Sequence, residues 1–227
     1  MLGSLTKSGV EIVNDATHAD AVIVNTCSFI DSAQEESVDT ILESVEMREA
    51  NYRGQAVIVS GCLPQRFRDE LPMLLPEVDA FMGIDQIAQV GTIVQQAIAA
   101  RGSKSRQPEA GSQKKKVVGR LNELEKNRSV SEHEKEESIR GTGKFGKTKT
   151  IVAPSVPFFD VTARPTFIPD FGTPRFRLTP KHFAYLKIAE GCNHPCTFCI
   201  IPRMRGSHRS RQQSDIVAEA KDCKPVE

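Results

Sequence analysis

Cys192, Cys196 and Cys199 fall in the spacing C-x3-C-x2-C, within the run Glu190-Gly191-Cys192-Asn193-His194-Pro195-Cys196-Thr197-Phe198-Cys199. Three thiolates on one tight loop can hold three irons of a [4Fe-4S] cluster and leave the fourth open. An open iron can take S-adenosylmethionine (SAM) through its amino and carboxylate groups. That placement puts the sulfonium where a cluster electron can cleave a carbon–sulfur bond, giving a radical that abstracts hydrogen from an unactivated carbon. Phe198, just before the last cysteine, is suited to packing near bound SAM, and Gly191 lets the backbone turn tightly beside the cluster. A zinc site using His194 as fourth ligand would strain two ligands into one C-x3-C loop. A disulfide is disfavoured in a reducing compartment, and chance burial accounts poorly for this spacing directly after a strand.

Cys27 and Cys62 form a second, weaker signal. Each follows a β-branched strand, in Val24-Asn25-Thr26-Cys27 and Val59-Ser60-Gly61-Cys62. Strand C-terminal ends of a parallel sheet share one edge, where ligands bind, so these two thiols could approach a common metal site. The alternative is that they are buried small hydrophobes. Cys223 has no such context and reads as incidental. His18 and His133 lie in polar stretches, and His194 belongs to the loop by steric fit. His208 sits in the basic run Arg203 to Arg211. That run reads as a solvated face, as counter-charge to thiolates and a SAM carboxylate, or as a contact for an acidic partner.

These residues need a scaffold, and the first hundred residues supply an alternating pattern. Val10 to Val13, Ala21 to Val24, Ala56 to Val59 and Val78 to Met82 read as strands. Asp31 to Ala50 reads as a helix with Ala33, Val38, Ile41, Leu42 and Val45 near one face, Asp31 as N-cap and Gln34 completing a capping box. A short helix is expected over Arg66 to Leu71, stopped by Pro72, and another over Gln86 to Ala100. Alternating strands and helices predict an α/β fold with a mostly parallel sheet. From Arg101 to Thr150 the periodicity dissolves into charged runs, Lys114-Lys115-Lys116, Glu132 to Glu137 and Gly141 to Lys149, the pattern of a flexible linker. Prolines at 154, 157, 165, 169, 174 and 180 predict extended chain. Phe183 to Ala189 then reads as a strand, followed by the cysteine loop and a helix from Ser214 to Ala220. That succession is one βα unit of a larger barrel or sheet.

Bulk composition narrows the classes. The chain has 227 residues, 39% hydrophobic and 26% charged, with a formal net charge of +1. No global field therefore argues for nucleic acid, and no apolar run approaches the ~20 residues that span a bilayer. Without a signal-peptide core at the N-terminus, a cytoplasmic location is expected, where the six cysteines stay reduced.

Taken together, the chain resembles the methylthiotransferase family of radical SAM enzymes. The resemblance rests on Asn25-Thr26-Cys27-Ser28-Phe29-Ile30-Asp31-Ser32-Ala33, Ser60-Gly61-Cys62-Leu63-Pro64-Gln65, Arg177-Leu178-Thr179-Pro180, Tyr185 to His194 and Cys199 to Gly206. Within the family these runs are closer to the branch that modifies ribosomal protein S twelve than to the tRNA-modifying branch. The resemblance implies a flavodoxin-like N-terminal domain over 1–100, a charged and proline-rich linker over 101–180, and the first βα unit of a truncated radical SAM TIM-like barrel over 181–227. It implies a second [4Fe-4S] cluster with Cys27 and Cys62 as two of three ligands, the first expected upstream of Met1 in a Gly-Cys-Pro-Lys-Asn context. It also implies SAM as cofactor, an electron donor, and ribosomal protein S twelve or the small ribosomal subunit as partner. The implied reaction replaces a β-carbon hydrogen of an aspartate with a methylthio group. Asp222 to Glu227 departs from the family pattern, so the resemblance predicts an inactive fragment lacking both ends. The competing readings are a tRNA methylthiotransferase, a non-catalytic Fe–S cluster-binding module and a zinc-binding interaction protein.

Overall fold

Ala56, Val57, Ile58 and Val59 are fully buried, and the chain organises itself around the strand they form. The computed structural model describes residues 1–51, 54–102, 117–126, 158–162, 165–180, 182–194 and 196–222. Strands β1 (Ala21–Thr26), β2 (Ala56–Gly61), β3 (Ala80–Met82) and β4 (Phe158–Asp160) make one parallel sheet in the order β1-β2-β3-β4. A central parallel strand is covered on both faces, which is why β2 reads as a continuous apolar run rather than an alternating one.

Side-chain alternation divides the sheet between two cores. Val59 and Phe81 point to one face, where Val38, Ile41 and Leu42 of α2 (Asp31–Ala50) meet Leu63, Phe67, Leu71, Leu75 and Val78. Ile58, Ala80 and Met82 point to the other. There α1 (Leu2–Lys7) contributes Leu5, and α5 (Val90–Gly102) contributes Val90, Ile93, Val94 and Ala97. The two-residue period of a strand sends neighbours to opposite layers. The result is a parallel α/β sheet covered on both sides, the architecture the alternating pattern predicts.

Several local expectations are corrected. Val10–Val13 is not a strand: the Val10 N–H closes onto the Leu5 carbonyl behind α1, and Ile12 and Val13 are exposed. β-branched residues alone do not make a strand where no neighbour pairs with them. Asp31 is the first residue of α2 and Ile30 its cap, while Gln34 accepts from the Ser28 hydroxyl instead of closing a capping box. The helix expected over Arg66–Leu71 is two pieces, α3 (Cys62–Arg66) and α4 (Leu71–Leu74). Pro72 lies in the first turn of α4 instead of ending a helix, because proline in a first turn forfeits no intrahelical bond. The helix expected from Gln86 starts as a 3-10 turn over Asp85–Gln89 before α5.

Within the charged linker, residues 117–126 form α6, which buries Val117 and Leu121 against the α2 face. Its Glu125 pairs with Arg66 at 2.9 Å. Lys114 to Lys116, Glu132 to Glu137, His133, Gly141 to Lys149, Pro154, Pro157 and Cys223 lie outside the described residues.

In the C-terminal part the paired strand is β5 (Ala189–Glu190), which shares only Ala189 with the strand expected over Phe183 to Ala189. Its partner is β6 (Arg209–Ser210), and the pairing is antiparallel. Between them lies α7 (Ile201–Arg205), and α8 (Gln213–Asp222) follows, as expected from Ser214. Phe183 to Ile188 keep an extended course with no ladder partner among the described residues, so Phe183, Tyr185 and Ile188 stay exposed. No helix among the described residues is long and apolar enough to cross a membrane.

Candidate metal centre

Thr26 and Gly61 are register partners at the ends of β1 and β2, so Cys27 and Cys62 emerge side by side at one sheet edge. Gly61 takes φ +102°, and a Cβ there would stand 2.5 Å from the Thr26 carbonyl oxygen. Only glycine allows the sharp turn that makes Cys62 the first residue of α3. The Thr26 hydroxyl fixes this corner: it donates to the Ser60 carbonyl at 2.6 Å and accepts from the Leu63 N–H at 3.2 Å. On the neighbouring strand end, the Cys27 N–H donates to the Ser37 hydroxyl of α2 at 3.0 Å. Cys62 is buried and Cys27 exposed.

The loop carrying Cys192, Cys196 and Cys199 leaves β5 and enters α7. Gly191 adopts φ +74°, and any Cβ would overlap the Ser207 and Gly206 carbonyls. The Cys192 N–H donates to the Gly206 carbonyl at 3.1 Å, and the Asn193 side chain accepts from the His208 N–H at 2.8 Å. The start of the loop is therefore clamped to the segment that leads into β6. Within the loop, the His194 N–H points at the Cys192 sulfur (3.4 Å) and the Cys199 N–H bonds the Cys196 carbonyl (3.1 Å). Cys196 is exposed, while Cys192 and Cys199 are half-buried. Phe198 is 89% exposed and covers nothing in the chain itself.

Charge ties the two cysteine regions together. Arg205, the last residue of α7, donates to both oxygens of Glu190 at 3.0 Å and to the Cys62 sulfur at 3.6 Å. Lys187 completes the pairing of buried Glu190. Burial pushes the Glu190 carboxyl up, but Lys187 and Arg205 outweigh it and hold that carboxyl below its ordinary range. Burial likewise pushes the Arg205 guanidinium down, and Cys62 with Glu190 outweighs it and holds Arg205 above its ordinary value. Most of the basic run works inside the chain rather than as a solvated face. Arg209 donates to the Arg205 and Ser207 carbonyls, and buried Arg211 donates to the Lys187 carbonyl and pairs with Glu219 of α8.

All five cysteines among the described residues are free thiols. In the described arrangement no three Cys, His, Asp or Glu side chains are gathered as a metal ion needs them. The loop's donor set nevertheless suits an iron–sulfur cluster. It offers three free thiols, all at least partly accessible, with a backbone N–H already directed at one sulfur, the kind of donor that tunes cluster sulfur. At the sheet edge the donor set is Cys27 and Cys62, with no third such ligand gathered beside them among the described residues. Thr26, Gly61, Glu190 and Arg205 are the supporting residues the sequence reading did not single out for these roles. Glycine directly before a cysteine, and an arginine six residues after the last loop cysteine, are the only signals they leave.

Comparison with known proteins places these features in a family. Residues 1–83 match the family model described as "Uncharacterized protein family UPF0004". The chain is 43% identical over 224 residues to the ribosomal protein uS12 methylthiotransferase RimO of Opitutus terrae, covering 97% of this chain and 37% of that protein. The protein of the same name from Akkermansia muciniphila is 40% identical over 222 residues, again with 97% of this chain and 37% of the relative covered. That from Koribacter versatilis is 40% identical over 220 residues, covering 97% and 41%. The chain thus spans little more than a third of the length of these relatives. Across nearly all of its own length it is similar to part of these ribosomal protein uS12 methylthiotransferases.

Proposed function

We propose that the chain provides the cysteine-bearing parts of a radical SAM methylthiotransferase acting in the cytoplasm on ribosomal protein S12. In support, the relatives are named as ribosomal protein uS12 methylthiotransferases, and the family resemblance implies replacement of a β-carbon hydrogen of an aspartate by a methylthio group. The observation that carries the reading is the clamped loop of Cys192, Cys196 and Cys199, docked through Arg205 against the sheet edge of Cys27 and Cys62.

In this reading Cys192, Cys196 and Cys199 hold a [4Fe-4S] cluster, and Cys27 and Cys62 contribute to a second one. Held there together with SAM, such a cluster would supply one-electron reductive chemistry, the electron coming from an external donor. The chain's own residues hold and orient. Gly191 sets the loop's departure from β5, Asn193 and Gly206 anchor it, and Phe198 offers an exposed apolar ring to a ligand at the loop. The domain division proposed is 1–100 for the sheet, 101–180 for the connecting segment and 181–227 for the start of a radical SAM barrel.

The chain by itself is expected to be inactive, so the test uses an anaerobically reconstituted full-length relative that carries this chain's sequence over the matching segment. Ribosomal protein S12 and tRNA are analysed by mass after incubation with that protein, SAM and a low-potential reductant. Methylthio mass gained by the ribosomal protein supports the proposal. The same gain on tRNA would assign the sister activity instead.

A further inference from the structure

Among the described residues, Arg205 touches both cysteine regions through its guanidinium, and its two partners come from distant parts of the sequence. Glu190 precedes the loop by two residues, and Cys62 lies 143 residues from Arg205. α7, which carries Arg205, packs directly on α3, which Cys62 begins. We propose that Arg205 is a positioning residue that latches the three-cysteine loop onto the sheet edge bearing Cys27 and Cys62. It fixes the distance and angle between the two cysteine groups through simultaneous bonds to Glu190 and Cys62. The inference rests on the proposed role of the loop as a cluster site.

A guanidinium is a planar fork that can serve two acceptors at once without distorting either bond. Here Nη1 serves both Glu190 oxygens and Nη2 serves the Cys62 sulfur. Glu190 is itself pinned by Lys187, three residues before it in the chain, so the fork closes onto a fixed anchor. Arg209 returns a hydrogen bond to the Arg205 carbonyl at 3.1 Å, which holds the end of α7 in place. The fork adds directional bonds to the apposition of two five-residue helices, α3 and α7.

Hydrogen exchange on the full chain without metal reads the latch directly. In R205A, amides of residues 61–66 and of residues 189–193 should both exchange about tenfold faster, the size expected for loss of a charge-assisted pair. The strands β1 to β3 should keep their protection. R205M keeps the stem and loses the charge, whereas R205K keeps a cation. Slow exchange restored at 189–193 by R205K while 61–66 stays fast, with R205M restoring neither, supports the two-pronged latch, because a single ammonium can pair with Glu190 but cannot also span to Cys62. Rescue by both would mean that the stem merely fills space and would overturn the proposal. Faster exchange at 189–193 alone would reduce Arg205 to an internal brace of the loop, and unchanged exchange would remove the latch altogether. If R205A loses protection throughout the sheet, the R205K and R205M pair decides.

Iron content after reconstitution is measured on the same samples. Iron bound by the wild-type loop with no latch behaviour overturns only this inference. A latch with no iron at Cys192, Cys196 and Cys199 overturns the cluster reading and leaves the geometry standing.

Discussion

The sheet of the first hundred residues and the loop region from His182 to Asp222 are held together by different forces. In the sheet, Val57, Ile58, Val59, Leu63, Phe67 and Phe81 are fully buried, and the two apolar layers account for the packing. In the loop region Tyr185 is 82% exposed, and the described order comes from ion pairs and backbone clamps: Glu190 with Lys187 and Arg205, Arg211 with Glu219, and Cys192 with Gly206. Apolar burial is nondirectional and tolerates small shifts, whereas charge-assisted bonds fix angles. A cysteine loop that must present several thiols in one arrangement gains more from the second kind of support.

The contrast can be broken from either side. Phe81→Ala removes a fully buried ring from the sheet's α2 face and should cost about 3–5 kcal/mol in urea unfolding. A loss below that of a surface mutation would show that the sheet does not depend on this core. Gly191→Ala acts on the other region. With φ at +74° and carbonyls where a Cβ would go, it should cost roughly 1–3 kcal/mol, expressed as local loosening of the loop and poorer iron retention. Global unfolding temperature should move much less, and an equal shift in the sheet would contradict separate support of the two regions.

Thr26→Val tests the joint between them. It keeps the shape but removes the hydroxyl shared by the Ser60 carbonyl and the Leu63 N–H, and should cost about 1–2 kcal/mol. Faster alkylation of Cys62 should accompany that loss, and an unchanged alkylation rate would mean that Thr26 does not hold the corner. The smallest effect belongs to Asp15, exposed on the turn before β1. Hydrogen bonds from the Thr17 hydroxyl and then from its N–H hold the carboxyl below its ordinary range. A depressed folded value contributes stability that is present above the unfolded value and is lost as pH falls through the folded one. NMR titration should therefore show the Asp15–His18 turn loosening only below the ordinary aspartate range, and Asp15→Asn should abolish that step.

Much of the sheet was legible because parallel strands covered on both faces are continuous β-branched runs. Ala21–Val24 and Ala56–Val59 lie inside β1 and β2, and the apolar stripe of Asp31–Ala50 coincides with α2. Val10–Val13 has the same composition and no strand, since pairing depends on a neighbour that local sequence does not encode. α6 was hidden because Val117 and Leu121, one turn apart, are its only fully anchored apolar positions among charged neighbours. The same limit applied to Phe183–Ala189, whose alternation was readable although only its last residue is laddered. At the candidate site the cysteine spacing was plain, because all three residues fall on one short loop. The Thr26 corner and the Arg205 link were not, since their partners are 34 to 143 residues away and meet only when the sheet edge and α7 come together.

The account's central claim is that Cys192, Cys196 and Cys199 form one cluster-binding unit. Iron and acid-labile sulfide should be measured after anaerobic reconstitution of the wild-type chain and of Cys192→Ala, Cys196→Ala and Cys199→Ala variants. The account predicts a [4Fe-4S] complement at the loop of the wild-type chain that each of the three substitutions removes. Unchanged iron and sulfide in the three variants would contradict it.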